Sequence, residues 1–312
     1  MDSNSRIFVA GHRGLVGSAL MRQLKAQGYN QVIVANDVDL RVQMDTIRWF
    51  RDWSPEYVFL AAAKVGGIGY NKAVPAEFIA DNLAIQTNVI TAAEEFGAKK
   101  LCFLGTACIY PKHAPVPIKE EYLMTGPLEE TNYAYAVAKI AGITMCQSFT
   151  KQYNFPTISV MPNNLYGIND NFRQEESHVI PAMIRKFIYH LEHDLPSIEF
   201  FGTGTPTREF LYADDLADGL IFLMNNYNDP EIINIGPNRE VSIEDLAYLI
   251  AAAVGYNGKI VWDKTKPDGT PRRALDTSKM DALGWRAKTS LEDGIRHTIA
   301  WYLNNRDNGA RI

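Results

Sequence analysis

Three residues, Thr106, Tyr135 and Lys139, have the types and spacing of a proton-transfer group. The phenol and the amine lie four positions apart, on one face of the segment if it is helical. A cation beside a phenol favours the phenolate and lowers its pKa, so such a tyrosine can exchange a proton with a carbonyl or hydroxyl near neutral pH. Upstream, Gly11-His12-Arg13-Gly14-Leu15-Val16-Gly17 is a G-x-x-G-x-x-G loop between an apolar run and a helical pattern. Glycines there permit a tight turn and close backbone approach, and a helix N-terminus attracts pyrophosphate. A dinucleotide on this loop and a proton donor at Tyr135 together imply hydride transfer to or from a C–O centre.

Cofactor type is contested within the same region. Arg13 can pair with a 2′-phosphate, which argues for NADP. Asp37, in the stretch Asn36-Asp37-Val38-Asp39, argues for NAD, because a carboxylate after the second strand often binds the ribose hydroxyls. Cys102 sits within an apolar strand and reads as packing. Cys108, just past a strand end, reads either as packing or as a base, with Lys64 as a candidate cationic neighbour. His178 follows Ser177 at a helix start, where imidazolium is disfavoured. His113, His190, His193 and His297 carry no functional reading.

These residues need a scaffold. Ile7–Ala10, Val32–Ala35, Tyr57–Ala61, Leu101–Leu104 and Thr157–Met161 are short apolar runs separated by helical patterns. Such alternation predicts an α/β fold: a Rossmann-like, doubly wound parallel sheet covered on both faces, with a smaller α/β substrate lobe. After Gly167 the alternation loosens into helices near 178–191, 213–226, 242–254 and 290–305, and strands near 198–201, 210–212 and 232–235. We expect a dinucleotide-binding domain from 1–166 plus about 209–236. The substrate domain then takes about 167–208 plus 237–312. Helices near 75–96 and 133–152 are apolar around much of their circumference, which suits either a thick core or a partner subunit.

Composition narrows the class. The 312 residues carry a formal charge of −5, so nothing draws the chain generally to nucleic acid or anionic lipid. An anionic substrate then needs local cations. Three irregularly spaced cysteines suit neither a disulfide framework nor zinc, and no metal is expected. With no signal-peptide pattern and no apolar run of membrane-spanning length, the expectation is a cytoplasmic protein.

Five segments carry a more specific likeness: Gly11–Ala19, Leu60–Ile68, Cys108–Lys112, Ser177–Ala182 and Lys266–Arg272. With Thr106, Tyr135 and Lys139, they resemble the extended short-chain dehydrogenase/reductase family, and within it the 3,5-epimerase/4-reductases of GDP-sugars, from residue 6 to about 303. The resemblance implies an NADP(H)-dependent homodimer, paired through the helices near 75–96 and 133–152. It would convert GDP-4-dehydro-6-deoxy-D-mannose to GDP-L-fucose by epimerisation at C3 and C5 and reduction at C4. It implies that Tyr135 donates to the C4 oxygen, that Lys139 holds the nicotinamide ribose and tunes Tyr135, and that Cys108 and His178 epimerise. Cofactor contacts are implied for Gly11 to Gly17, Asn36, Asp37, Leu104, Gly105, Thr106, Lys139, Pro162, Asn163, Asn164, Leu165 and His178. Substrate contacts are implied for Lys186, Phe201, Arg208 and Asp276.

The chain departs from the family pattern in several places. Thr106 stands for the usual serine, Lys186 for arginine, Phe201 for tryptophan and Ala107 for a second serine, and the basic residue near Asn36 is missing. Water-expelling dehydratases carry an Asp-Glu pair where this chain has Ala107 and Cys108, and simple 4-epimerases do not need a second acid/base pair. A non-catalytic nucleotide sensor commonly loses the tyrosine or lysine, and both are present.

Overall fold

The computed structural model describes residues 1–307. In chain order the first part runs β1 (Ile7–Ala10), α1 (Leu15–Ala26), β2 (Val32–Ile33), α2 (Gln43–Trp53), β3 (Tyr57–Leu60), α3 (Ile68–Ala73), α4 (Pro75–Glu95), β4 (Lys100–Leu104), α5 (Tyr133–Tyr153) and β5 (Thr157–Pro162). It continues through β6 (Asn164–Tyr166), α6 (Val179–Glu192), β7 (Ser197–Phe201), β8 (Thr207–Tyr212), α7 (Ala213–Asn226), β9 (Ile233–Ile235), β10 (Glu240–Ser242), α8 (Ile243–Val254), β11 (Lys259–Asp263), β12 (Arg272–Arg273), α9 (Ser278–Ala282) and α10 (Leu291–Asn305).

Six parallel strands form one sheet in the order β2-β1-β3-β4-β5-β9. The chain steps from β1 outward to β2 and then back to β3 on the other side. The order reverses there, which is where doubly wound sheets open a crevice at the carboxyl ends of their strands. Ile7, Phe8, Val9 and Ala10 are all fully buried, because helices cover both faces. Val9, Ile158 and Val160 pack with Leu20, Leu24, Leu216 and Leu220 of α1 and α7. On the opposite face Phe8, Val58, Leu101 and Phe103 pack with Phe50, Val89, Ile90 and Ile143 of α2, α4 and α5. Burying a side chain of that size contributes about 1.5–3 kcal/mol.

A second sheet, β10-β8-β12 with β6 along β8, and the parallel pair β11-β7 lie outside the large sheet. The expected division near residue 209 therefore falls inside β8, which pairs with β6, β10 and β12 and not with the dinucleotide-type sheet. A third core joins α6, α8 and α10 around Phe172, Phe187, Leu246 and Ile295. The helices there start where side chains cap them: Ser242 Oγ accepts from Asp245 N at 2.9 Å, and Ser290 Oγ from Asp293 N at 3.1 Å. Among the described residues no helix is long and apolar enough to cross a membrane.

Candidate active site

At the carboxyl ends of β1, β3, β4 and β5 lies a cleft of about 1320 Å³, roofed by residues from the second part of the chain. β1 ends at Ala10 and turns at Gly11, whose φ is +85°. A Cβ at Gly11 would lie 2.7 Å from the Ala62 backbone, and one at Gly17 would lie 2.0 Å from the Gly11 carbonyl oxygen. The first and third glycines thus let the loop fold tightly against β3 and α1. Gly14 begins α1 without a side-chain cap, leaving first-turn N–H groups for an anion from the cleft. From the roof, Asn169 Nδ2 donates to the Arg13 carbonyl at 2.7 Å and fixes the loop. Further along, Asn163 turns its amide nitrogen to Glu209 at 3.2 Å, while its buried Oδ1 has no partner. An uncapped helix start, a tight glycine turn and an orphaned carbonyl on one wall fit a dinucleotide.

Thr106 follows β4 and is joined by Tyr135 and Lys139 from α5. The Thr106 hydroxyl accepts from Cys108 N at 3.2 Å and lies beside Tyr135. Lys139 is buried, and its Nζ donates to the Leu104 carbonyl at 2.8 Å and lies 6.0 Å from the Tyr135 ring centre. Burial pulls the Lys139 ammonium down to about 8. Burial also pushes the Tyr135 phenol upward, the nearby Cys108 thiol adds to this, and only the Thr106 hydroxyl opposes it. Burial of the ring thus leaves the phenol above its ordinary value rather than below it, against the expectation from the Lys139 spacing alone.

Cys108 lies in a short 3₁₀ turn, Ala107–Ile109, half-buried beside Tyr135. Lys64 is not its cationic partner. Its ammonium bonds Glu77 and lies 3.4 Å from Asp81, both on α4. The cation on this turn is Arg273 of β12, whose Nη2 donates to the Ala107 carbonyl at 2.6 Å. His178 enters at the start of α6 and lines the cleft. Its ring stays accessible from the cleft while protein on the other sides removes bulk water, and this burial lowers its pKa. Gly67 N donates to the Glu176 carbonyl at 2.8 Å, tying the loop after β3 to the His178 segment.

Gly11 to Val16, Asn36, Leu104, Gly105, Pro162, Asn163, Asn164, Leu165 and Arg208 also line the cleft. Gly17 does not, since it packs under the loop. Asp37 is exposed off the wall, whereas Asp39, two residues on, lines it. Arg208 donates to its neighbour's Thr207 carbonyl at 2.7 Å, and burial and the Arg273 charge lower its pKa.

Three expected substrate contacts lie off the cleft wall. Lys186 folds onto β7, bonding the Glu199 carbonyl, with its Nζ 4.9 Å from the Phe200 ring centre. Phe201 is 71% exposed, with the Lys266 ammonium 5.9 Å from its ring centre. Asp276 accepts from Ser278 N at 2.9 Å in the turn before α9. Arg273 and Asn169 join the picture without having been expected, because each is brought in by a long-range contact that no local spacing signals; Arg41 also lines the cleft. Among the described residues no group of three or more His, Cys, Asp or Glu side chains is placed to hold a metal.

A model of the NAD dependent epimerase/dehydratase family matches residues 7–236. The chain belongs to that family. Within the NAD dependent epimerase/dehydratase family, "Putative GDP-L-fucose synthase 2" of Arabidopsis thaliana is 52% identical over 98% of this chain and 94% of its own length. The GDP-L-fucose synthase of Escherichia coli is 44% identical over 98% of each chain. A solved GDP-L-fucose synthetase from Naegleria fowleri bound to NADP superposes with a TM-score of 0.92 at 30% identity, over 100% of this chain and 96% of that one.

Proposed function

We propose that this chain converts GDP-4-dehydro-6-deoxy-D-mannose to GDP-L-fucose, epimerising C3 and C5 and then reducing C4 with NADPH. The observation that carries the reading is that one cleft holds two acid/base sets. Thr106, Tyr135 and Lys139 line it together with the glycine loop, Cys108 and His178, and Cys108 lies near Tyr135. Full-length relatives named GDP-L-fucose synthase support the same substrate.

NADPH held against the glycine loop at Gly11 to Val16 would supply hydride for C4. Tyr135 gives its phenolic proton to the C4 oxygen, and the Thr106 hydroxyl orients the phenol. The Lys139 ammonium holds the ribose and stabilises the phenolate left behind. Before that step the C4 ketone acidifies the protons on C3 and C5. Inversion then needs one group to take a proton from one face and another to return one to the opposite face. A His178 with lowered pKa is neutral at neutral pH and can accept a proton, and the Cys108 thiol can deliver one. Arg208 and Arg273, both on the cleft wall, supply cations for the diphosphate. Ala107 and Cys108 provide no carboxylate pair for dehydration. We place the enzyme in the cytoplasm as a homodimer joined through α4 and α5, where Ile140, Met145 and Phe149 stay only partly buried.

The division of labour is tested by deuterium uptake at C3 and C5 in D₂O, with oxidised NADP replacing NADPH. Wild type exchanges at both carbons. Cys108→Ser raises the side-chain pKa far above that of a thiol, and His178→Asn removes the proton shuttle. We expect the double variant to bind NADPH and exchange little. Full exchange at both carbons would show that these residues are not the epimerising pair.

A further inference from the structure

Arg41 lines the same cleft as Arg13. Arg41 grips the Asp39 carboxylate in a fork, Nη2 to Oδ2 at 2.7 Å and Nε to Oδ1 at 3.0 Å, and reaches Asp81 of α4 at 3.4 Å. Its backbone is held in place. The Leu40 carbonyl accepts from Asn88 Nδ2 at 2.9 Å and from the Thr46 hydroxyl at 3.3 Å. Arg13 Nη2 approaches the same segment, 3.4 Å from both the backbone oxygen and Oδ1 of Asn36. Both guanidiniums therefore line the cleft, contacting different points of the segment that follows β2. Their side chains remain open to the cleft: Arg41 is 51% exposed and Asp39 42%.

We propose that Arg41 is a second ligand of the cofactor's 2′-phosphate and that Asp39 holds its guanidinium until the phosphate arrives. This rests on the NADP reading above. The guanidinium fork presents the same paired donors to a carboxylate and to a phosphate. An unpaired carboxylate at Asp39 would accept the ribose hydroxyls of NAD and repel a 2′-phosphate. Arg41, two residues on, cancels that charge and offers a donor in its place. Because the ion pair is solvent-exposed, giving it up costs little. A dianionic phosphate also competes well with a single carboxylate. The chain thus keeps NADP recognition without the basic residue expected near Asn36.

Isothermal titration with adenosine 2′,5′-bisphosphate and with 5′-AMP isolates the 2′-phosphate from catalysis. Wild type binds the bisphosphate more tightly. Arg41→Ala weakens the bisphosphate about tenfold, the loss of one partly exposed charge-assisted bond, and leaves 5′-AMP unchanged. Asp39→Asn frees the guanidinium and tightens the bisphosphate. Unchanged 5′-AMP binding shows that each variant is folded. If Arg13→Ala abolishes the preference while Arg41→Ala keeps it, the NADP reading stands and the role of Arg41 falls. Weaker bisphosphate binding by Asp39→Asn overturns the exchange between carboxylate and phosphate. Equal binding of both nucleotides by wild type overturns the NADP reading and this proposal together.

Discussion

Tyr135 and Lys139 are expected to act as one unit, and the size of their coupling follows from the geometry. The Lys139 ammonium, buried and 6.0 Å from the Tyr135 ring centre, interacts with a phenolate charge by about 3 kcal/mol at an effective dielectric of about 20. That equals about two pKa units of phenol acidity. Burial raises the phenol, and a neighbouring ammonium favours the phenolate that proton donation leaves behind. Tyr135→Phe keeps the ring edge-on to Phe78, at 6.1 Å between centres, and removes only the proton. It should slow C4 reduction by about 10² to 10⁴. Lys139→Met should slow it by about 10 to 10² through the weaker acid alone, and further through lost ribose contact. In the Lys139→Met background, Tyr135→Phe should then cost at least about tenfold less than in wild type. The assay is single-turnover NADPH oxidation with saturating keto-sugar, with thermal unfolding to confirm the fold. Near-wild-type turnover by Tyr135→Phe, or losses that simply multiply in the double variant, would refute the reasoning.

Two further outcomes test the scaffold. Gly17→Ala places a Cβ 2.0 Å from the Gly11 carbonyl oxygen, so it should destabilise the protein by about 1–3 kcal/mol and weaken NADPH binding, read by thermal unfolding and titration. Lys100 is buried and donates to the Leu223, Met224 and Tyr227 carbonyls that end α7 and to Asn228, so Lys100→Met should cost about 2–4 kcal/mol in denaturant unfolding. An unchanged midpoint would show that those carbonyls find other partners.

The glycine loop, the Tyr135–Lys139 spacing and the parallel strands were legible because each is a local pattern: residues four apart on a helix, or apolar runs buried on both faces. The short strands were not. Arg272–Arg273 is polar and Glu240–Ser242 has a single apolar residue, Val241, and both are strands through pairing with β8. Lys64 was misread because its partners, Glu77 and Asp81, come from α4 rather than from the loop carrying Cys108. Arg273 was invisible for the converse reason, since it reaches Ala107 from 166 positions away. The balance at Tyr135 could not be read from spacing either. A lysine four residues on signals a lowered phenol, but the depth of burial decides the sign. Asp37 and Asp39 are two positions apart, and only the path of the chain after β2 determines which one faces the cleft.

Incubation of the protein with GDP-4-dehydro-6-deoxy-D-mannose and NADPH, followed by NMR identification of the nucleotide sugar, tests the central claim most directly. The account predicts GDP-L-fucose, with one NADPH consumed per product and solvent deuterium at C3 and C5 when the reaction runs in D₂O. A GDP-6-deoxyhexose that keeps the substrate's configuration at C3 and C5 would show a reductase without the epimerase, and no NADPH consumption would contradict the account altogether.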